Sequence, residues 1–421
     1  MVLSTALCFL AIGSHVAVLP RFVRDEVGAG ATAVGIAMGA TAAVALLLRP
    51  WAGALSDRGG RRRPALAGAV VMAAGCALLV PAGSLPVIVL GRMLIGAGEA
   101  ALTVVTMAWM VDVVPAHRRG RALGAYGMSI WFGLALGPQW SVAVLDQWGF
   151  GWVWASGAVL GLASGLTLLL LREPARVAHA ADAAGPAADG VSGGGAAPGE
   201  IAAVAAGSAP AAGGRLRRWW AGVPHGALLP GLVFVLAAFG HAVLESFGVL
   251  HLGGRGLDQG GGIGGAASIF TVIAVATFLG RMLGGRLCDR IGAMPVAFAA
   301  VVPLIASYVV FAFASSFAVA AVAAVLCGCG LALAYPALSM IVAEAVPPAQ
   351  RGAGLGLYIG SMDVAFGGGA LLGGLVVSLS STEAALAGSA VVAVGAYLPL
   401  LVLRRRGLGR PLTAVPAPDP A

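Results

Sequence analysis

Hydrophobic positions in this chain are gathered into long unbroken runs separated by short polar breaks. Twelve runs can be placed, at roughly 1–20, 32–52, 64–82, 86–110, 121–144, 150–171, 226–250, 263–284, 294–313, 317–341, 353–378 and 384–403. Each is about the length of helix that crosses a hydrocarbon core ~30 Å thick. Inside such a core the backbone must satisfy its own hydrogen bonds, so runs of this length predict α-helices. They fall six and six about residues 172–224, which are rich in Ala, Gly and Pro without apolar periodicity and predict a flexible linker. The expected fold is an all-α integral membrane protein of twelve transmembrane helices. An N-terminal six-helix bundle spans 1–171, a linker 172–224, a C-terminal six-helix bundle 225–403 and a tail 404–421. The first run lacks a basic leading region and is followed by many more spans, so it reads as a helix and not a cleaved signal. With no polar tail ahead of it, the start is expected to lack a few residues.

The halves repeat. Gly53–Gly60 reads G-A-L-S-D-R-G-G and Gly285–Gly292 reads G-R-L-C-D-R-I-G, an offset of 232 that also pairs Arg49 with Arg281, Tyr126 with Tyr358, Asp112 with Glu344 and Arg119 with Arg351. One register over separated blocks implies duplicated bundles in the same orientation, related by a pseudo-twofold axis along the membrane normal, with a cavity between them.

Composition then excludes most other classes. The chain of 421 residues is 59% hydrophobic and 10% charged, against roughly 25% charged in soluble domains. Its 25 basic residues are all Arg, and with 17 acids give a net +8. They sit in short clusters, leaving no extended basic face for nucleic acid. Loops after even-numbered helices, the linker and the tail hold nineteen arginines and the opposite loops three. That asymmetry predicts a multi-pass protein of the cell inner membrane with both termini cytoplasmic. The five cysteines form no paired motif and read as reduced apolar fillers.

The densest motif is G-x-x-x-D-R-x-G-R-R-R, from Gly53 through Asp57, Arg58, Gly60, Arg61 and Arg62 to Arg63, echoed by Asp289 and Arg290 in the second half. Glycines allow a tight turn there, and the charges can form a cytoplasmic gate network with Asp112 and Glu344; otherwise the arginines only set topology. Helix 4 carries R-x-x-x-G-x-G at Arg92, Gly96 and Gly98. Helix 5 carries Gly124, Gly133, Gly137 and Pro138, the last two glycines forming a surface for close helix approach beside a residue that permits a kink.

On these motifs the chain resembles the transporters of the major facilitator superfamily across nearly its whole length outside the linker and tails. More narrowly it is similar to bacterial arabinose-efflux-like and drug-efflux-like members. The helix 5 motif is associated there with antiporters; Ser141 and Val142 stand where that pattern has two glycines. The resemblance implies the major facilitator fold and a monomer that exports a small organic molecule against protons by alternating access. Its partners are substrate, protons and membrane lipid, with no nucleic acid, cofactor or metal. Uptake by symport remains open, as does a non-transporting receptor whose linker binds a partner. No nucleotide loop, zinc spacing or nucleophile elbow supports a pump or an enzyme.

Six charged side chains lie inside spans: Arg49, Arg92, Glu99, Glu245, Arg281 and Asp363. Unpaired, each costs about 2.5–3.5 kcal/mol, together more than the ~5–15 kcal/mol of a typical fold, so they must pair, face water or lose charge. Glu99 is the first expected proton or cation site, with Arg92 two turns away on the same helix. His241 and Glu245, four apart, can act as a relay. Asp363 and His15 are further candidates facing the cavity, and Trp109, Tyr126, Trp131, Tyr335 and Tyr358 can shape a mixed pocket. Arg49 and Arg281 are expected to snorkel towards the gate.

Overall fold

The computed structural model describes residues 1–171, 224–257, 265–347 and 350–409, apart from the side chains of residues 57–59, 116–117, 119–121, 283–286 and 352. The predicted linker and most of the tail therefore lie outside the described residues, as do the side chains of Asp57 and Arg58. Helices α1 (Val2–Asp25), α2 (Ala31–Gly59), α3 (Arg62–Leu79), α4 (Leu85–Val113), α5 (Ala116–Trp148) and α6 (Phe150–Leu169) make the first half. The second holds α7 (Leu228–Gly254), α8 (Ser268–Ile291), α9 (Ala293–Ala312), α10 (Phe317–Ala345), α11 (Arg351–Leu379), α12 (Thr382–Val394) and α13 (Tyr397–Arg405), with no strand among the described residues.

Eleven segments are long and apolar enough to cross a membrane, Thr382–Arg405 counting as one despite its break. The twelfth predicted span is α8, whose stretch of fully described residues, Ser268–Met282, is apolar. Several helices outrun their apolar runs. The 33 residues of α5 extend about 50 Å at 1.5 Å per residue, so its ends stand in the headgroup layer, where a helix still satisfies its own backbone.

The repeat is visible in the packing. In the first half α1 lies against α5 and α6, α2 against α4, and α3 against α4 and α6; in the second α7 lies against α11 and α12, α8 against α10, and α9 against α10 and α12. The halves meet where α2 crosses α11 and α5 crosses α8, with a lesser contact of α1 on α7. Glycines make these crossings close. A side chain at Gly96 would strike the carbonyl of Thr41, and one at its repeat partner Gly328 the carbonyl of Ile273, 232 residues on. Gly35 and Gly39 of α2 likewise sit against the backbone of Ala370 and Gly367 on α11.

Among the described residues, hydrogen bonds that cross the two seams at the end away from the arginine-rich loops are Thr32 to Ser378 (3.0 Å), Gln139 to Ser268 (3.3 Å) and Thr271 to the carbonyl of Ala135 (2.6 Å). At the other end Gly124 of α5 and its partner Gly356 of α11 are exposed, with open space around them.

Candidate functional site

Among the described residues the α2–α11 seam carries the strongest charged contact between the bundles. Arg49 on α2 donates to Asp363 on α11 through Nε (2.8 Å) and Nη2 (3.1 Å), and Nη2 also reaches Glu99 Oε1 on α4 at 3.4 Å. Charge-assisted bonds of this kind contribute about 1.5–3 kcal/mol, and they answer the insertion cost of three interior charges at once. Glu99 and Asp363, predicted separately, are thus brought together by a residue expected to serve elsewhere. Arg49 does not snorkel: it lies ten residues before the end of α2, about 15 Å along the axis, farther than its side chain reaches. A carboxylate across the seam is the nearer partner.

The α5–α8 seam holds the symmetric counterpart. Arg281, the repeat partner of Arg49, places its guanidinium carbon 5.0 Å from the ring centre of Trp131, and Trp131 is the repeat partner of Asp363. A second aromatic, Tyr335 on α10, lies 4.9 Å away. Each such contact supplies about 0.5–2 kcal/mol, which offsets much of the roughly 2.5–3.5 kcal/mol of carrying an interior cation. One axis therefore relates an ion pair to a cation–π pair. Arg281 also ends α8 ten residues on, at Ile291, so it too is held laterally and not at the gate.

Between the seams lies a small cavity lined by Val16, Trp131, Leu134 and Pro138 from the first half and His241, Glu245, Phe270, Ile273 and Ala274 from the second. His241 Nε2 is 3.5 Å from Glu245 Oε1, while its Nδ1 is 3.5 Å from the Cys327 thiol and its ring meets Phe366 edge-on. The expected pair is formed, with Glu245 at the cavity wall. Its repeat position is Gly13, which packs against Gly133 and Gly137; the acid occupies a place where the other half needs no side chain.

Other candidates are placed away from this seam. Arg92 is buried, donates to the carbonyl of Ala37 (3.2 Å) and does not bond Glu99 directly. His15 stacks on Trp154 (5.2 Å between centres) with Cys76 beside it, inside the N-terminal bundle and among α1, α3 and α6. It does not line the cavity, because the aromatic face of Trp154 holds it inwards. Trp109 is likewise core, with Ala65, Val105 and Leu168. Tyr126 donates to the carbonyl of Thr103 (2.8 Å) and Tyr358 to that of Tyr335 (3.1 Å), symmetric bonds within each bundle. Only Trp131 and Tyr335 of the predicted aromatics reach the seam's charges.

At the arginine-rich end Arg61 is buried, its Nε donating to Asp112 (2.8 Å) and Nη1 to Ser56 (2.7 Å), and Arg62 donates to the carbonyl of Leu169 (2.9 Å). Gly60 and Gly292 turn the chain at φ +85° and +90°, a conformation that favours glycine. Among the described residues Glu344 meets no loop arginine; it accepts from the backbone N–H of Gly409 (2.6 Å), whose carbonyl accepts from Met294 N–H (3.0 Å). Arg351 donates to the carbonyl of Ala343 (2.9 Å), and Asp289 and Arg290 are exposed. Gly133 and Gly137 press on the backbone of Phe9, Leu10, Gly13 and Ser14 of α1, whereas Gly124 touches nothing. Sequence reasoning missed Arg49 as the hub and Trp131 as a charge partner. The signal was present in the shared offset of Arg49 with Arg281 and of Trp131 with Asp363.

Comparisons with known proteins agree on the class. The family model described as Major Facilitator Superfamily matches residues 1–268 and 232–420. The uncharacterized MFS-type transporter YhhS of Escherichia coli (strain K12) is 28% identical over 406 residues, covering 94% of this chain and 90% of that one. Among solved structures the fold is similar to the nucleoside transporter NupG (TM-score 0.75, 14% identity, 96% and 98% of the two chains). It is also similar to a bacterial homolog of the human lysosomal transporter Spinster in an inward-facing, occupied conformation (TM-score 0.69, 16% identity, 96% and 95%).

Proposed function

Since the chain belongs to the major facilitator superfamily and is a non-enzymatic, multi-pass membrane transporter of that class, we propose that it is a proton-coupled antiporter exporting a small organic molecule across the bacterial inner membrane. The observation that carries this reading is Arg49 shared between Glu99 in its own bundle and Asp363 in the other. A proton taken by Asp363 removes the charge that ties α2 to α11, while Glu99 stays to hold Arg49. One protonation thereby loosens one seam without leaving a bare guanidinium in the membrane. The arginine-rich loops face the cytoplasm by the positive-inside rule, and both termini lie there.

The test begins with a thermal-shift screen of purified protein against small molecules at two pH values, since a ligand that binds the folded state raises its stability. A hit is then followed in everted vesicles, where accumulation abolished by an uncoupler is expected; accumulation indifferent to the proton gradient would refute coupling. Uptake by symport is the second reading, favoured by Ser141 standing where the antiporter-associated motif has glycine, its hydroxyl turned to the carbonyl of Pro138 (2.9 Å). The direction of substrate movement under an imposed pH gradient separates the two.

A further inference from the structure

The interior charges are unequally provided for. Arg49 has two carboxylates, and Arg92 donates through Nε to the carbonyl of Ala37 although its Nη1 is buried without an acceptor. Arg281 has neither: among the described residues it makes no hydrogen bond and no ion pair, its Nε is buried without an acceptor, and only the faces of Trp131 and Tyr335 answer its charge. An aromatic face attracts a cation but takes up no N–H in the geometry a carboxylate offers. The donors of Arg281 are therefore unspent.

Their position decides what would use them. Phe270, Ile273 and Ala274 of α8 form one wall of the interbundle cavity, and Arg281 stands two turns further along the same face, about 10 Å in rise. Trp131 belongs to both places, lining the cavity and touching Arg281. Arg281 stands outside the cavity lining, whose walls are apolar but for His241 and Glu245, and Trp131 joins the two; apolar walls with a few polar groups are the usual form of a small-ligand site. We propose that Arg281, flanked by Trp131 and Tyr335, is the anchor for an organic anion, a flat unsaturated molecule whose carboxylate pairs with the guanidinium while its ring lies along Trp131 in the cavity. Glu245 also lines the cavity, and when ionised it would disfavour a carboxylate there, leaving the ligand's charge to Arg281. The planar fork of arginine suits this role where lysine would not, since it binds a carboxylate through two parallel bonds and stacks on aromatics at once.

This inference rests on the transporter reading only in placing the ligand between the bundles, and it is tested without any gradient. Full-length protein in detergent is titrated calorimetrically with three flat carboxylates, benzoate, 2-naphthoate and indole-3-acetate, and with 2-naphthamide and 2-naphthylmethylammonium as neutral and cationic counterparts of the same ring. At least one carboxylate binds, and 2-naphthamide and 2-naphthylmethylammonium do not. Arg281→Gln weakens that carboxylate by about tenfold to a hundredfold, the range for a lost charge-assisted bond, Arg281→Lys loses less, and Trp131→Leu weakens it without changing charge selectivity. Binding of the ammonium in preference to the carboxylates, unchanged carboxylate affinity in Arg281→Gln, or no binding by any of the three carboxylates would overturn the proposal. If Arg281→Gln does not fold, the selectivity among the five probes on unaltered protein and the Arg281→Lys titration decide it. Carboxylate binding without proton-driven flux would overturn the antiporter reading and leave the anion site standing; proton-driven export of a cation, unaffected by Arg281→Lys, would do the reverse.

Discussion

Consider Asp363→Asn. The substitution keeps the size of the side chain and removes the charge that holds α11 to Arg49 through bonds of 2.8 and 3.1 Å. Arg49 keeps Glu99 at 3.4 Å, so no interior charge is stranded. What is lost is the part of the seam that the ion pair supplies, about 1.5–3 kcal/mol for charge-assisted bonds. If that energy favours the present arrangement over the alternative one, the ratio of the two changes by roughly ten- to a hundredfold, at about 1.4 kcal/mol per factor of ten. The readout is the distance between spin labels at Glu26 and Ser380, exposed residues on opposite bundles at the end where the seams are hydrogen-bonded, in a background without the native cysteines. Unaltered protein should give a single short distance and Asp363→Asn a second, longer one. Arg49→Gln should be harsher, because it leaves Glu99 and Asp363 facing each other without a cation; breaking one partner of a buried pair costs about 3–5 kcal/mol. In a double-mutant cycle the Arg49–Asp363 coupling should exceed that of Arg49–Glu99, in keeping with two shorter bonds against one longer. Unchanged distances in Asp363→Asn, together with additive losses in the cycle, would refute the view that this pair ties the bundles.

Further expectations follow from other places in the fold. Glu99→Gln should leave the protein folded and abolish proton-driven accumulation in everted vesicles; full transport would remove Glu99 from coupling. Gly137→Leu should fail to give monodisperse protein on size-exclusion chromatography, since even a Cβ meets the backbone of Gly13 and Ser14, whereas Gly124→Ala, with open space around it, should match unaltered protein. Arg61→Ala should lower thermal stability by on the order of 1–3 kcal/mol by stranding Asp112 and Ser56; Arg62→Ala, which loses one bond at an exposed end, should cost less.

The membrane class and the helices were legible because lipid imposes a single rule, internal satisfaction of the backbone, that run length reports directly. The repeat was legible because one offset tied distant glycines and arginines together, and the same offset relates the contact of Gly96 with Thr41 to that of Gly328 with Ile273, and the bond of Tyr126 to Thr103 to that of Tyr358 to Tyr335. The His241–Glu245 contact needed only helical spacing. The hub at Arg49 needed knowledge of which helices cross, which no spacing within a helix supplies: Arg49 and Asp363 are 314 residues apart. His15 misled for a related reason. A polar residue in an apolar helix suggests a wet surface, yet the stacking partner that buries it, Trp154, is remote in sequence.

The unlike chemistry of the two seams sets what each can respond to. A carboxylate has two charge states within ordinary conditions and an indole has one, so a proton can address the Arg49–Asp363 seam and has no purchase on Arg281–Trp131. On the antiporter proposed above, the place of aspartate on one side of the axis and tryptophan on the other would divide the labour: one seam a latch that acid can release, the other a pivot indifferent to it. Motion about such a pair would be lopsided, a door on a hinge in place of a symmetric rocking of equal halves.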